Sequence, residues 1–272
     1  MPKNTVGIQL YVWHQVLSKE GKTVEGELER VLGETAEAGF AAVEGSLSYI
    51  ASPQKAQRFR RLLAVNRLVL PSVYHGGSYH VRELGEAALA EIVRLAPFAL
   101  ECGATMINVN PAPIGREKTD AELLVQAEYL NRVGDALRRM GIAFVTHNHA
   151  PEIRNHAREF RSNIARTDPK LVGLCLDTHW VFRGGEDPVA LLEECVWLVR
   201  TLHIRNSRDG VWTEAFGDGD VDYTAIRDIL AQHGFAGPIY VELAYEDKTR
   251  ITRPLKENLA ISREYFRSIF GY

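Results

Sequence analysis

Four stretches of this chain end in side chains that could hold a cation and move protons. His147, His149 and Glu152 lie together in Thr146-His-Asn-His-Ala-Pro-Glu152. Asp177 and His179 close Leu171-Val-Gly-Leu-Cys-Leu-Asp-Thr-His-Trp180. His203 and Arg205 stand in Leu202-His-Ile-Arg-Asn206, and Glu242 in Ile239-Tyr-Val-Glu-Leu-Ala244. Carboxylates with one or two imidazoles suit one divalent cation of the Mn, Co, Mg or Zn type. No thiolate is spaced as a ligand, which argues against a structural zinc. Taken singly, each residue has a plainer use. A strand-end histidine such as His14 or His75 usually makes a structural hydrogen bond, and Asp177 could cap the following turn. Glu242 and His203 are harder to dismiss, because a charged or polar group inside an apolar run needs a buried partner. Asp, His and Glu closing three successive runs therefore read together as a metal site.

Such residues meet only if the elements before them are strands of one sheet. Leu171 to Leu176 is a continuous apolar run, the pattern of a strand buried on both faces in a parallel sheet. Similar runs begin near residues 6, 40, 68, 105, 142, 171, 202 and 238, with helical spacing between them. The first is expected over Val6 to Trp13 and the second over Phe40 to Gly45, near Glu44. Helices are expected over Gly21 to Gly39, from Ser52-Pro53 to Asn66, over Glu83 to Cys102 with Pro97 inside, and over Asp120 to Met140. Others are expected over Ala157 to Thr167, from Asp187-Pro188 to Arg200, over Asp222 to His233 and over Pro254 to Phe270. Eight strand–helix units at the spacing of βαβ units, with no linker or low-complexity segment, predict an α/β fold: one (β/α)8 barrel over residues 1–272. A doubly wound open sheet would carry a Gly-rich phosphate turn after the first strand, and Tyr11-Val-Trp-His-Gln15 is not one. In a barrel, the polar loop Arg205 to Val221, with Trp212, would overhang the strand ends as a lid.

Composition narrows the function classes. The chain has 272 residues, 46% of them hydrophobic, and a formal net charge of −3. That composition supports a sizeable core and does not advertise a nucleic-acid partner. The three cysteines have no ligand-like spacing and read as buried thiols. The N-terminal stretch lacks a leader's apolar region, and no apolar run approaches a membrane span. A cytoplasmic protein with no membrane partner is expected. The Arg-rich helix ends and the Trp212 loop leave a homo-oligomer open.

The chain also resembles the xylose isomerase-like barrel superfamily, the sugar phosphate isomerase/epimerase group. Leu176-Asp-Thr-His179 is similar to its sixth-strand motif and Leu202-His-Ile-Arg-Asn206 to its seventh. Phe216-Gly-Asp-Gly-Asp220 is similar to the short loop that follows, and Val241-Glu242 to the eighth-strand motif. The resemblance covers nearly the whole chain and implies a TIM barrel acting on a small sugar substrate. It assigns Asp177, His203 and Glu242 to a metal ion, and His179 and Arg205 to substrate. Many members end the fifth strand in a fourth glutamate ligand, and here that place holds His147. Either His147 takes the metal, or Glu152 reaches back to it; the shortness of the loop favours Glu152. His147 or His149 is then free for proton transfer, and Glu152 and Glu242 form the expected acid–base pair with His147 as substitute. His149 is also a substrate-contact candidate, as are the aromatic side chains Trp13 and Trp180, with Tyr11 and Trp212. The implied reaction is proton abstraction next to a carbonyl through an enediolate, giving isomerisation or epimerisation. The alternatives are dehydration of an inosose, cleavage at an abasic site, or sugar binding without catalysis.

Overall fold

Eight parallel strands close into a barrel in the order β1-β10-β7-β6-β5-β4-β3-β2. The computed structural model describes residues 5–272; Met1 to Asn4, part of the stretch searched for a leader, lie outside them. The barrel strands are β1 (Val6–Gln9), β2 (Ala42–Ser46), β3 (Val69–Gly77), β4 (Met106–Pro111), β5 (Ala143–His147), β6 (Gly173–Asp177), β7 (Val199–Ile204) and β10 (Ile239–Val241). A separate antiparallel hairpin pairs β8 (Ser207–Arg208) with β9 (Val211–Trp212). The helices are α1 (Tyr11–Lys19), α2 (Leu28–Glu37), α3 (Pro53–Asn66), α4 (Arg82–Glu101), α5 (Asp120–Arg139), α6 (Ala150–Arg166), α7 (Thr178–Gly184), α8 (Pro188–Cys195), α9 (Tyr223–Gln232) and α10 (Leu255–Phe270). Among the described residues, no helix is long and apolar enough to cross a membrane.

Local chemistry sets most of these boundaries. Ser52 caps α3 by accepting from Lys55 N, with Pro53 in the first turn. Thr119 and Glu122 form a capping box on α5, and Arg138 and Arg139 sit in its last turn. Helix α4 runs without a break through Pro97. All three cysteines are buried and unpaired.

The first unit departs from expectation. β1 stops at Gln9 and the chain turns at once into α1. Val12, Trp13, Val16 and Leu17 share a helical face, and Val12, Trp13 and Leu17 are fully buried. Trp13 therefore belongs to the core and not to the cavity rim. The second departure follows β6. Asp177 caps α7 directly, accepting from Trp180 N at 2.7 Å. The third is in α6, which starts at Ala150, ahead of the expected Ala157. Arg154 breaks it, and Asn155, His156 and Ala157 follow at φ of 53°, 57° and 54°. The second half of α6 is the helix whose spacing is legible in the sequence.

Candidate active site

His147 and Asp177, the last residues of β5 and β6, His203, one residue short of the end of β7, and Glu242, just past β10, point into one buried space. Ligand atoms of His147, Asp177, His203 and Glu242 all lie within 4.8 Å of one another. Register brings them there: Asp177 stands opposite His203 between β6 and β7, and His203 opposite Tyr240 between β7 and β10. Two imidazoles and two carboxylates in a buried group fit a divalent cation. Cys175, two residues deeper on β6, lies 3.8 Å from His147 Nδ1. Burial pushes its thiol up to about 12, and with His147 and His203 it forms a second, overlapping three-residue group beside the four.

Glu152 is not in this group, contrary to the expectation that it would reach back to the cation. Pro151 starts α6 at once, which puts Glu152 in the helix's first turn. There Glu152 Oε2 accepts from His149 N at 2.9 Å, the N-cap arrangement of a capping box. Its other oxygen has no hydrogen-bond partner among the described residues. Burial, then Glu159, raises its pKa to about 7. A folded-state pKa above the unfolded one contributes stability below about pH 4.5, and that stability is lost as the pH rises through about 7. Glu152→Gln keeps the acceptor and removes the charge. Its stability relative to the wild type should grow between pH 5 and pH 8 by on the order of 1–3 kcal/mol, measured by urea unfolding at each pH.

Arg205 balances the carboxylates. Its Nη2 lies 2.5 Å from Asp177 Oδ2 and 3.3 Å from Glu242 Oε2. Burial works against charge on Glu242, but Arg205 and then His203 outweigh it and hold its pKa well below the usual range. Burial also opposes charge on His203, and Cys175, Glu44 and Glu242 more than offset it, so this imidazole is held well above its ordinary pKa. His147 is shifted the other way, well down, by burial and the neighbouring His149 and His203.

Above the cluster opens a cavity of about 460 Å³ lined by Gln9, Tyr11, His14, Tyr74, His149, Trp180, Arg205, Trp212 and Glu242, among others. Trp180 and Trp212 meet edge to face at 5.4 Å, and the Arg205 guanidinium lies 5.1 Å from each ring. His149 packs 5.3 Å from Trp180 and 4.7 Å from His147. The overhanging loop is the β8–β9 hairpin. Ser207 donates to Asp220 at 2.6 Å, and a Cβ at Gly219 would lie 2.0 Å from the Ser207 carbonyl oxygen, so that close approach needs glycine. Glu246 accepts from Trp212 N at 2.9 Å and from Arg183 at 2.6 Å.

Of the expected substrate contacts, Arg205, His149 and Trp180 line this cavity. His179 does not: it is fully buried, with Nε2 2.8 Å from Ser207 Oγ, and it fastens the hairpin to α7. Trp13 is in the core. Glu44, not singled out from the sequence, is fully buried 2.7 Å from His203. It carries the same signal as Glu242, a carboxylate at the end of an apolar run. A separate cleft beside Lys118 and Arg158 offers little free charge, since Lys118 pairs with Glu159, Arg158 with Asp120 and Arg116 with Glu122.

A sequence profile described as "Xylose isomerase-like TIM barrel" matches residues 32–269. The inosose dehydratase of Clostridium tetani is 24% identical, covering 83% of this chain and 85% of that protein. The inosose dehydratase of Geobacillus thermodenitrificans is 26% identical, covering 89% and 90%. Among solved structures, a sugar phosphate isomerase/epimerase from Parabacteroides distasonis superposes with a TM-score of 0.78 at 20% identity, covering 98% of this chain and 94% of that one. A D-psicose 3-epimerase from Clostridium cellulolyticum, solved with D-tagatose, gives 0.78 at 16% identity, covering 98% and 99%. These superpositions establish a common fold.

Proposed function

This chain belongs to the xylose isomerase-like TIM barrel family, and from that premise we propose that it is a divalent-cation-dependent dehydratase acting on an inosose-type keto-polyol. The observation that carries this reading is the acid–base set at the cavity floor. The carboxylate Glu242 and the imidazole His149 face the cavity, while Glu152, the second carboxylate of a two-glutamate pair, is turned into the N-cap of α6. One carboxylate base and one imidazole suit an elimination, in which proton removal and departure of a hydroxyl need different partners. The curated inosose dehydratases support the same reaction class.

A cation held by His147, Asp177, His203 and Glu242 would polarise a carbonyl and so acidify the adjacent C–H. Glu242 is the group placed to take that proton. The C–H electron pair becomes a C=C bond, the C–O bond at the next carbon breaks, and the hydroxyl leaves as water with the proton that Glu242 took, relayed through His149, whose imidazole is neutral because burial lowers its pKa to about 4. Arg205 sets the charge of Asp177 and Glu242 and lies 5.1 Å from the rings of both Trp180 and Trp212, and the two tryptophans offer apolar surface for the C–H side of a polyol ring. Among the described cavity-lining residues, Arg205 is the single lysine or arginine and both carboxylates already occupy it. That supports an unphosphorylated substrate.

Isomerisation or epimerisation of a keto-sugar is the second reading. It begins with the same proton removal and differs in that His149 returns the proton to carbon. Mass spectrometry after incubation of manganese-loaded protein with an inosose and with a ketohexose separates them. A product lighter by one water from the inosose supports dehydration. Products of unchanged mass, with deuterium at carbon when the reaction runs in D2O, would replace it with the second reading.

Glu246→Ala gives a check on the cavity wall. It removes the acceptor for Trp212 N and for Arg183, each worth about 1 kcal/mol. KM should rise roughly 5- to 30-fold with kcat little changed, read from steady-state kinetics.

A further inference from the structure

Beneath the cation cluster lies a second, fully buried polar layer that the reaction does not use. Glu44 at the end of β2 is its centre. Glu44 Oε1 accepts from Ser72 Oγ at 2.6 Å and from Asn108 Nδ2 at 3.4 Å. Ser72 Oγ also lies 2.9 Å from the Tyr240 hydroxyl. Since its single hydrogen serves the carboxylate, Tyr240 donates to Ser72. The layer is built tightly: a Cβ at Gly7 would stand 2.6 Å from the Tyr240 ring, so glycine there lets the ring lie across the barrel. The remaining oxygen, Glu44 Oε2, lies 2.7 Å from His203 Nε2. Neither atom makes an aligned hydrogen bond among the described residues, so the N–H points off the line between them. The distance decides the chemistry, because lone pairs with no proton between them would repel at that separation. Nε2 therefore carries a hydrogen. By the same reasoning Nδ1, 2.9 Å from Glu242 Oε2 on the other side of the ring, also carries a hydrogen in this structure, the one that a cation would displace.

We propose that Glu44 is a positioning residue for the cation centre: it holds the Nε2 proton of His203 and so reserves Nδ1 for a cation beside Glu242. The physical reason is general. A metal-bound imidazole needs its other nitrogen fixed, and a carboxylate there sets the ring's tautomer and orientation while making the ligand nitrogen a better donor. Three strands collaborate, with Ser72 on β3 and Asn108 on β4 holding the carboxyl group that β2 supplies. This inference rests on the cation-dependent reading above.

The test is cobalt titration of the full chain, following the visible absorption of bound Co2+. Glu44→Gln keeps the shape and removes the charge. Outer-shell substitutions of this kind cost about 10- to 100-fold in metal affinity, and that loss is expected here, with a changed absorption spectrum even at saturating cobalt. A purely structural role would lower the melting temperature and leave the saturated spectrum as in the wild type. Ser72→Ala, which frees Glu44 on its far side without touching the cluster, should shift affinity in the same direction by a smaller factor. It decides the matter if Glu44→Gln fails to fold. Unchanged affinity and spectrum in the folded variants would overturn the role of Glu44 while leaving the cation centre standing. A wild-type chain that binds no cobalt would overturn both.

Discussion

Asp177→Asn is expected to lose both the cation and turnover. Asp177 does two jobs with its two oxygens: Oδ1 caps α7 through Trp180 N, and Oδ2 faces Arg205 within the cluster. Asparagine can keep the cap and cannot supply the charge. The cluster then holds two imidazoles, one carboxylate and the Arg205 guanidinium, a set with too little negative charge to keep a divalent cation against water. Affinity should fall by more than the roughly 100-fold upper range of outer-shell effects. Turnover should fall on the order of 10³-fold, equivalent to about 4 kcal/mol of barrier. Metal content after dialysis and initial rates on an inosose measure the two losses. Wild-type metal content in this variant would remove Asp177 from the ligand set. The alanine variant is a poorer test, because it also removes the α7 cap, worth about 0.5–2 kcal/mol, together with one of the two carboxylates that face Arg205.

His149→Ala should separate binding from chemistry. The side chain faces the cavity and packs on His147 and Trp180, and it is outside the four-residue cluster. Cation affinity should stay within a few-fold of the wild type, while kcat falls about 10²- to 10⁴-fold, the usual worth of a positioned proton donor. The loss should sit in kcat and not in KM, since an imidazole that acts on the leaving hydroxyl matters most in the transition state. Full activity in the variant would move the proton transfer to another group, with Tyr74 at the cavity wall the next candidate.

The barrel was legible in the sequence because its strands are buried on both faces and so appear as apolar runs whatever their neighbours. Asp177, His203 and Glu242 were legible for the related reason that polar groups in such runs need one another. Choosing between His147 and Glu152 was harder. It depends on how β5 hands over to α6, and Ala150-Pro151 leaves no loop for Glu152 to fold back through. The signal was present: Glu152 stands three residues after His149, the spacing of a capping box. Trp13 was misplaced for a different reason. Val12, Trp13, Val16 and Leu17 have helical spacing, and extending the β-rich start of the chain across them assigned the wrong period. His179 lies in the first turn of a helix that Asp177 itself caps. Until that cap is known, the same motif reads equally well as a loop that presents His179 to substrate.

Equilibrium dialysis against Mn2+, comparing the wild type with His147→Ala and Glu152→Gln, tests most directly which residues complete the centre. One cation per chain is expected in the wild type and in Glu152→Gln, with binding weakened on the order of 100-fold or more in His147→Ala. Binding retained in His147→Ala and lost in Glu152→Gln would contradict the four-residue cluster. A wild-type chain that takes up no cation would mean that the buried histidines and carboxylates serve the fold alone.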